Sequence, residues 1–304
     1  MSELVVIAGP TASGKTALAI EVAKRIDAEI ISADSQQVYR YFDIGMAKPS
    51  ADELAAVPHH LVNVVEPTED FSAARFATMA DEAIAQIRSR GKRVLVVGGT
   101  GLYLRVLLHG VVAAPSRDDE LRAKLEAFAD EHGNAALHAR LAAVDPVTAA
   151  KHPVADRLRV IRALEIHELT GKPASEHREA HAFVEDRYPY QLWVLNPERE
   201  AVYAAINSRT QKMFDAGLID EARRNLQWRN TAPMRAVGYV QALAVIDGTM
   251  TREQAVIDTA QATRKYAKRQ FTWFKKEKGA RHVEPHRALE QIVSAAPRPR
   301  SRGE

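Results

Sequence analysis

Residues Gly9-Pro10-Thr11-Ala12-Ser13-Gly14-Lys15-Thr16 fit the pattern G-x-x-x-x-G-K-[ST] and stand between a β-branched apolar run at 4–8 and a helical pattern at 15–26. Pattern and setting together demand a strand, a tight glycine turn and a helix whose N-terminus faces an anion, the opening unit of a parallel α/β sheet. Glycines let successive N–H groups turn toward the anion, Lys15 adds a point charge, and the Thr16 hydroxyl can ligate Mg²⁺. Phosphate binding follows from this loop. Nucleotide hydrolysis does not.

Further short strand-like runs occur at 29–32, 61–65 and 94–97, with a helical pattern at 72–90, so strands and helices alternate. The long stretch 118–169 is helical without a strand-like run, and one more strand is expected at 191–195. After Pro197 the pattern is helical at 199–216, 218–228, 237–247 and 252–276. The expected fold is α/β, a P-loop NTPase-like parallel sheet flanked by helices with an all-helical insertion domain. Residues 1–115 form the first part of the core, 116–189 the insertion, 190–290 the last strand and C-terminal helices, and 291–304 a disordered basic tail.

The chain contains no cysteine, which excludes disulfides, thiolate catalysis and Cys-based metal centres. No apolar run approaches the ~20 residues of a membrane span, and the first residues lack the pattern of a secretory signal, so the cytoplasm is the expected compartment. Net charge is only +3, yet residues 260–304 carry 12 Lys/Arg against 4 Asp/Glu. Such a basic end suits a phosphate backbone, and a solvated helix face accounts for it equally well.

Typical P-loop NTPases carry an acid on a later strand that helps hold Mg²⁺. Here the run 94–97 ends in Gly98-Gly99-Thr100-Gly101 instead, and Asp34, after the run 29–32, is the nearest acid at a strand end. The ends of parallel strands are where ligands bind, which places Asp34 within reach of whatever reacts with the bound phosphate; an Asx turn is its plainer reading. Gln36 and Gln37 suit adenine edges. His59-His60 make a poor metal pair, since neighbours in an extended segment point apart. Arg157, Arg159 and Arg162 share a helical region and read as phosphate clamps or as a solvated face. Arg209 is either inward-pointing or on the surface, and residues 264–276 interleave cations with four aromatics.

Taken in order, these residues resemble the tRNA dimethylallyltransferases. The resemblance rests on Gly9 to Thr16, Asp34-Ser35-Gln36-Gln37-Val38-Tyr39, Gly45-Met46-Ala47-Lys48-Pro49, Pro58-His59-His60, Phe71-Ser72 and Gly98-Gly99-Thr100-Gly101-Leu102-Tyr103. It continues through Arg162-Ala163-Leu164-Glu165, Ala236-Val237-Gly238-Tyr239-Val240-Gln241, Tyr266-Ala267-Lys268-Arg269-Gln270 and Thr272-Trp273. Met46 and Leu158 depart from the family pattern, which has a small polar and a polar residue there.

The resemblance implies transfer of a dimethylallyl group from dimethylallyl diphosphate to N6 of the adenosine 3′ of the anticodon, in tRNAs reading codons that start with U. Gly9, Pro10, Thr11, Ala12, Ser13, Gly14, Lys15, Thr16 and Arg209 would hold the diphosphate, with Mg²⁺ on Thr16. Asp34, Thr100 and Arg209 would be catalytic. Asp34, Ser35, Gln36, Gln37, Thr100, Arg122, Arg159, Arg162, Arg235, Gly238, Tyr239, Lys268 and Arg269 would meet the tRNA anticodon stem-loop, with the protein acting as a monomer away from membranes. Two other readings stay open, a P-loop small-molecule kinase and a prenyltransferase acting on free adenine nucleotides.

Overall fold

A computed structural model describes residues 3–111, 115–181 and 186–296. Within it the chain divides into two compact units, one formed by Met1–Leu108 with Arg187–Glu304 and the other by His109–Asp186. In the first unit the chain runs β1 (Leu4–Ala8), α1 (Lys15–Ile26), β2 (Ala28–Ser32), α2 (Ala51–Ala56), β3 (His59–His60), α3 (Ala73–Ser89), β4 (Arg93–Gly98) and α4 (Gly101–His109). The second unit holds α5 (Asp119–Val144), α6 (Pro146–Lys151), α7 (Arg157–Thr170) and α8 (Ala174–His181). The first unit resumes with β5 (Tyr190–Leu195), α9 (Arg199–Asp215), α10 (Leu218–Arg224), α11 (Tyr239–Ile246), α12 (Arg252–Lys275), β6 (Arg281–Val283) and α13 (Pro285–Ala295).

The six strands pair in parallel in the order β3-β2-β4-β1-β5-β6. Their continuous apolar runs are those of strands covered on both faces. Alternation along each strand divides the core: Leu4, Val6, Ile31, Val94, Val96, Leu192 and Val194 pack under α3 and α4, while Val5, Ile7, Ile30, Leu95, Trp193 and Leu195 pack under α1 and α13. Register aligns Ile7 with Val97 and Ser32 with Val97, so β1, β2 and β4 end together at one sheet edge. That edge carries the glycine loop, Asp34 and the turn after β4.

A third cluster, built on Val38, Phe42, Val65, Phe214, Tyr239 and Ala255, roofs the loop after β2. Met46 lies in it with 7% of its surface exposed, which is why a large apolar side chain stands at this departure from the family pattern. The second unit has its own core around Leu125, Leu137, Leu141, Val160 and Leu164.

Three expectations are corrected. Residues 61–65 are not a strand, because Leu61 and Asn63 adopt left-handed φ of 62° and 58°; the strand lies at His59–His60 and only Tyr39 and Val65 form an isolated bridge. A second late strand, β6, joins β5 and was not expected. Residues 291–295 belong to α13, not to a tail, since Ala288 and Ile292 bury one face of that helix. The rest of the expected tail, 297–304, lies outside the described residues.

Candidate active site

The loop between β1 and α1 takes the shape its sequence requires. Gly9 and Gly14 have φ of 151° and 82°, and Ala12 also turns left-handed at 60°. α1 opens at Gly14 with no side-chain cap and no acidic residue in its first turn. First-turn N–H groups have no partner within a helix, so this end offers uncompensated donors to an anion. Lys15 Nζ donates to Pro10 O at 2.5 Å and approaches Ser13 Oγ at 3.4 Å. Burial pushes the Lys15 ammonium down to about 8; the Asp34 carboxylate pulls it up and Arg209 pushes it further down, and at neutral pH it stays charged.

Arg209, on α9, points inward, and its Nη2 donates to Thr11 Oγ1 at 2.7 Å. Its burial lowers its pKa and Asp34 opposes that shift. Two cations and one carboxylate thus share the loop, a balance suited to a strongly anionic ligand.

Asp34 adopts the Asx turn and keeps a chemical role open. Its Oδ1 accepts from Gln36 N at 2.8 Å and Gln37 N at 3.3 Å. The side chain borders the same cleft as Lys15, Thr16, Arg209 and Arg235, a space of about 630 Å³. The Thr100 Oγ1 accepts from Ser35 N, the residue after Asp34, at 3.2 Å. The Tyr266 phenol is pushed up to about 12, by burial first and then by Asp34, and so remains a neutral donor.

Gln270, on α12, carries no chemistry that its sequence motif reveals, and the geometry supplies a role. Its Oε1 accepts from Thr11 N at 2.8 Å and its Nε2 donates to Gly99 O at 2.9 Å, tying the glycine loop to the turn after β4. A Cβ on Gly99 would lie 2.4 Å from Gln270 Nε2, and one on Gly101 would lie 2.1 Å from Trp273 Nε1. Helix α12 thus packs onto bare backbone.

The lip of the cleft, 43–48, is pinned by Glu221, which is buried and accepts from Asp43 N, Ile44 N, Gly45 N and the Tyr239 hydroxyl. Lys48 Nζ reaches Tyr39 O at 2.5 Å and Asp43 Oδ1 at 2.9 Å.

Several expected RNA contacts have other work. Tyr239 has no exposed surface, and a Cβ on Gly45 would lie 2.3 Å from its ring, so its side chain packs the lip and cannot face RNA. Gly238, also buried, turns the chain into α11 with φ of 100°. The Gln37 amide is engaged at both ends, accepting from Ser32 Oγ at 3.0 Å and donating to Ala47 O at 3.1 Å. Gln36 keeps an unpartnered Oε1.

In the helical unit, Arg122 grips the fully buried Glu165 with Nε and Nη2 at 2.9 and 2.8 Å, and Arg162 reaches Glu165 and, at 2.8 Å, Pro115 O. Burial alone would raise the Glu165 carboxyl, but Arg122, Arg162 and Asp118 N outweigh it and hold it at about 2. These two arginines organise α5 against α7. Arg159 is 65% exposed and its side chain bonds Asp156, one turn earlier, while Leu158 is 70% exposed. Lys268, Arg269 and Arg235 are exposed.

Among the described residues no group of three or more His, Cys, Asp or Glu is disposed to hold a metal. A divalent ion held here would take most of its ligands from phosphate and water, the habit of Mg²⁺, and the Thr16 hydroxyl, which lines a small cavity, fits that demand. No described helix is long and apolar enough to cross a membrane.

A family model described as IPP transferase matches residues 37–277, and one described as isopentenyl transferase matches 2–70. A tRNA dimethylallyltransferase of Myxococcus xanthus is 63% identical over 93% of this chain and 92% of its own length. The crystal structure of a full-length tRNA isopentenylpyrophosphate transferase from Bacillus halodurans superposes with a TM-score of 0.71 at 38% identity, covering 97% of this chain and 95% of that one. A eukaryotic dimethylallyltransferase captured acting on tRNA gives 0.79 at 27% identity, covering 99% of this chain and 82% of that one. With its phosphate loop, its strand-end aspartate and these matches along nearly its whole length, the chain belongs to the IPP transferase family, the tRNA dimethylallyltransferases.

Proposed function

We propose that this prenyltransferase moves a dimethylallyl group from dimethylallyl diphosphate to N6 of the adenosine 3′ of the anticodon, in tRNAs reading codons that start with U. The observation that carries the reading is a single cleft of about 630 Å³ holding a phosphate loop with two cations and, beside it, a carboxylate suited to act on the acceptor.

The amine of adenine is a poor nucleophile because its lone pair is delocalised into the ring. Asp34 hydrogen-bonds N6, orients it and takes its proton as the N6–C1 bond forms, a role worth roughly 10²- to 10⁴-fold. The C1–O bond breaks at the same carbon and its electrons leave with diphosphate. Charge building on those oxygens is met by the α1 N-terminus, Lys15 and Arg209. Thr100 sets the turn that aims Asp34. Thr16 would hold a Mg²⁺, which when bound would supply further neutralisation of the leaving group.

The adenosine leaves its stack to reach the cleft, at a cost of a few kcal/mol that RNA contacts offset. Ser35, Gln36 and Arg235, which line the cleft, and the exposed Lys268 and Arg269 on α12 would make those contacts, and on the helical unit Arg159 would serve, with Arg122 and Arg162 bracing its helix. The cytoplasm and a monomeric state fit this substrate.

The test is incubation with Mg²⁺, dimethylallyl diphosphate and unmodified tRNA, beside tubes holding AMP or holding ATP with a small alcohol, read by mass spectrometry. Prenylated adenosine from the tRNA tube alone is expected. Prenylated AMP would move the protein to free nucleotides, and phosphorylated alcohol without prenylation would make it a kinase.

A further inference from the structure

Beside the main cleft lies a smaller cavity of about 60 Å³, lined by Lys15, Thr16, Ser32, Asp34, Gly98 and His59. It has room for a few waters, since one water needs only about 10–15 Å³ by such a measure. It occupies the place where a P-loop NTPase puts its metal-assisting acid, at the end of the strand next to β1. That strand end is Gly98, and a Cβ there would lie 2.1 Å from Ala33 O, so no side chain of any kind fits.

His59, on β3 two strands away from β4, also lines the cavity. Its orientation is fixed. Nδ1 lies 2.7 Å from Val57 O, and a carbonyl only accepts, so Nδ1 carries the proton and Nε2 holds the free lone pair. The neighbouring His60 points to the opposite face and binds Glu29 at 2.7 Å, as alternation on a strand requires. Around the cavity, Ser32 Oγ donates to Gln37, Asp34 Oδ1 accepts in the Asx turn and Lys15 Nζ donates to Pro10 O, which leaves Asp34 Oδ2 as a second acceptor on the same space. The His59 Nε2 lone pair is, with Asp34 Oδ2, an acceptor for a group that donates, in a cavity that the Thr16 hydroxyl also lines.

We propose that His59 is a positioning residue, whose Nε2 accepts a hydrogen bond from the water shell of the divalent ion that accompanies the diphosphate, replacing the missing strand-end carboxylate. The inference rests on the reading of the loop as a diphosphate cradle. Mg²⁺ keeps several of its waters, and acceptors that hold such outer ligands change metal affinity by 10- to 100-fold.

Two substitutions separate this from a purely structural role. His59→Asn keeps an amide near Nδ1 for Val57 O and ends short of the cavity; His59→Gln puts an amide oxygen near the position of Nε2. Binding of Mn²⁺ is followed by electron paramagnetic resonance with inorganic diphosphate present, and binding of diphosphate alone by calorimetry in EDTA. The expected result is Mn²⁺ affinity at least about tenfold weaker in His59→Asn, recovery to within about threefold in His59→Gln, and metal-free diphosphate affinity unchanged in both. Wild-type Mn²⁺ affinity in His59→Asn overturns the inference. So does an equal loss in both variants accompanied by a lower melting temperature, which would assign His59 to holding β3. If diphosphate does not bind the unaltered protein with or without Mn²⁺, the cradle itself is refuted and this role falls with it.

Discussion

Asp34 has one oxygen held in the Asx turn and another to which the proposed base role falls, and the two can be separated. Oδ1 caps the turn that starts at Gln36, and an asparagine offers the same oxygen to the same N–H groups. Asp34→Asn is therefore expected to fold and bind dimethylallyl diphosphate as before while single-turnover prenylation slows by roughly 10²- to 10⁴-fold. Retained turnover would remove the base role. Gln270 is the second residue whose loss is informative, because it satisfies Thr11 N and Gly99 O together inside the protein. Gln270→Leu strands both groups and should cost roughly 2–3 kcal/mol in urea unfolding, with weaker diphosphate binding. Gln270→Ala that unfolded like wild type would show that water replaces the bridge.

At the scale of elements, the ion-paired core of the helical unit sets a pH limit. The Glu165 carboxyl titrates near 2 in the fold, against an ordinary value of 4.5. A carboxyl lowered by folding contributes stability that is complete above its unfolded pKa and lost as pH falls through the folded one. The melting temperature should hold on this account above about pH 4.5 and fall between there and about pH 2, and in Glu165→Gln that part of the decline should vanish. Glu165→Ala, leaving two arginines facing an apolar site, should destabilise by about 3 kcal/mol.

The same elements show what a sequence reveals. The phosphate loop, the strand ends and Asp34 were legible because turn chemistry and β-branched runs are local signals. The engagement of Arg162 was not, because helical spacing gives a shared face without saying what lies opposite it, and nothing near Arg122, expected at the RNA from the resemblance, points to Glu165. Tyr239, expected at the RNA from the resemblance alone, carries no local sign that Gly45 leaves room for its ring. β6 has three residues and no alternation to display, though Pro285 with Ala288 and Ile292 marks the helix after it. Gln270 and His59 act across 259 and two residues of sequence, on Thr11 and Val57, and only the fold shows which partner matters.

For the molecule as a whole, the division into two units makes the division of labour testable. Arg187 N donates to Leu108 O at 2.7 Å, so the chain leaves and re-enters the first unit at adjacent points. Replacing residues 109–186 by a short Gly-Ser linker should leave the sheet, the glycine loop and diphosphate binding intact while tRNA affinity falls and its salt dependence flattens. Unaltered tRNA affinity in that variant would place recognition wholly in the first unit.

The most direct measurement follows the bond that breaks. Dimethylallyl diphosphate labelled with oxygen-18 at the bridging position is reacted with unmodified tRNA, and the released phosphate species are read by phosphorus-31 NMR. Cleavage between C1 and oxygen delivers the label into free diphosphate while the RNA gains the prenyl group, which is the expected result for a loop that cradles a leaving group. Label retained in dimethylallyl alcohol or its monophosphate, with a phosphoryl group passed elsewhere, would contradict it.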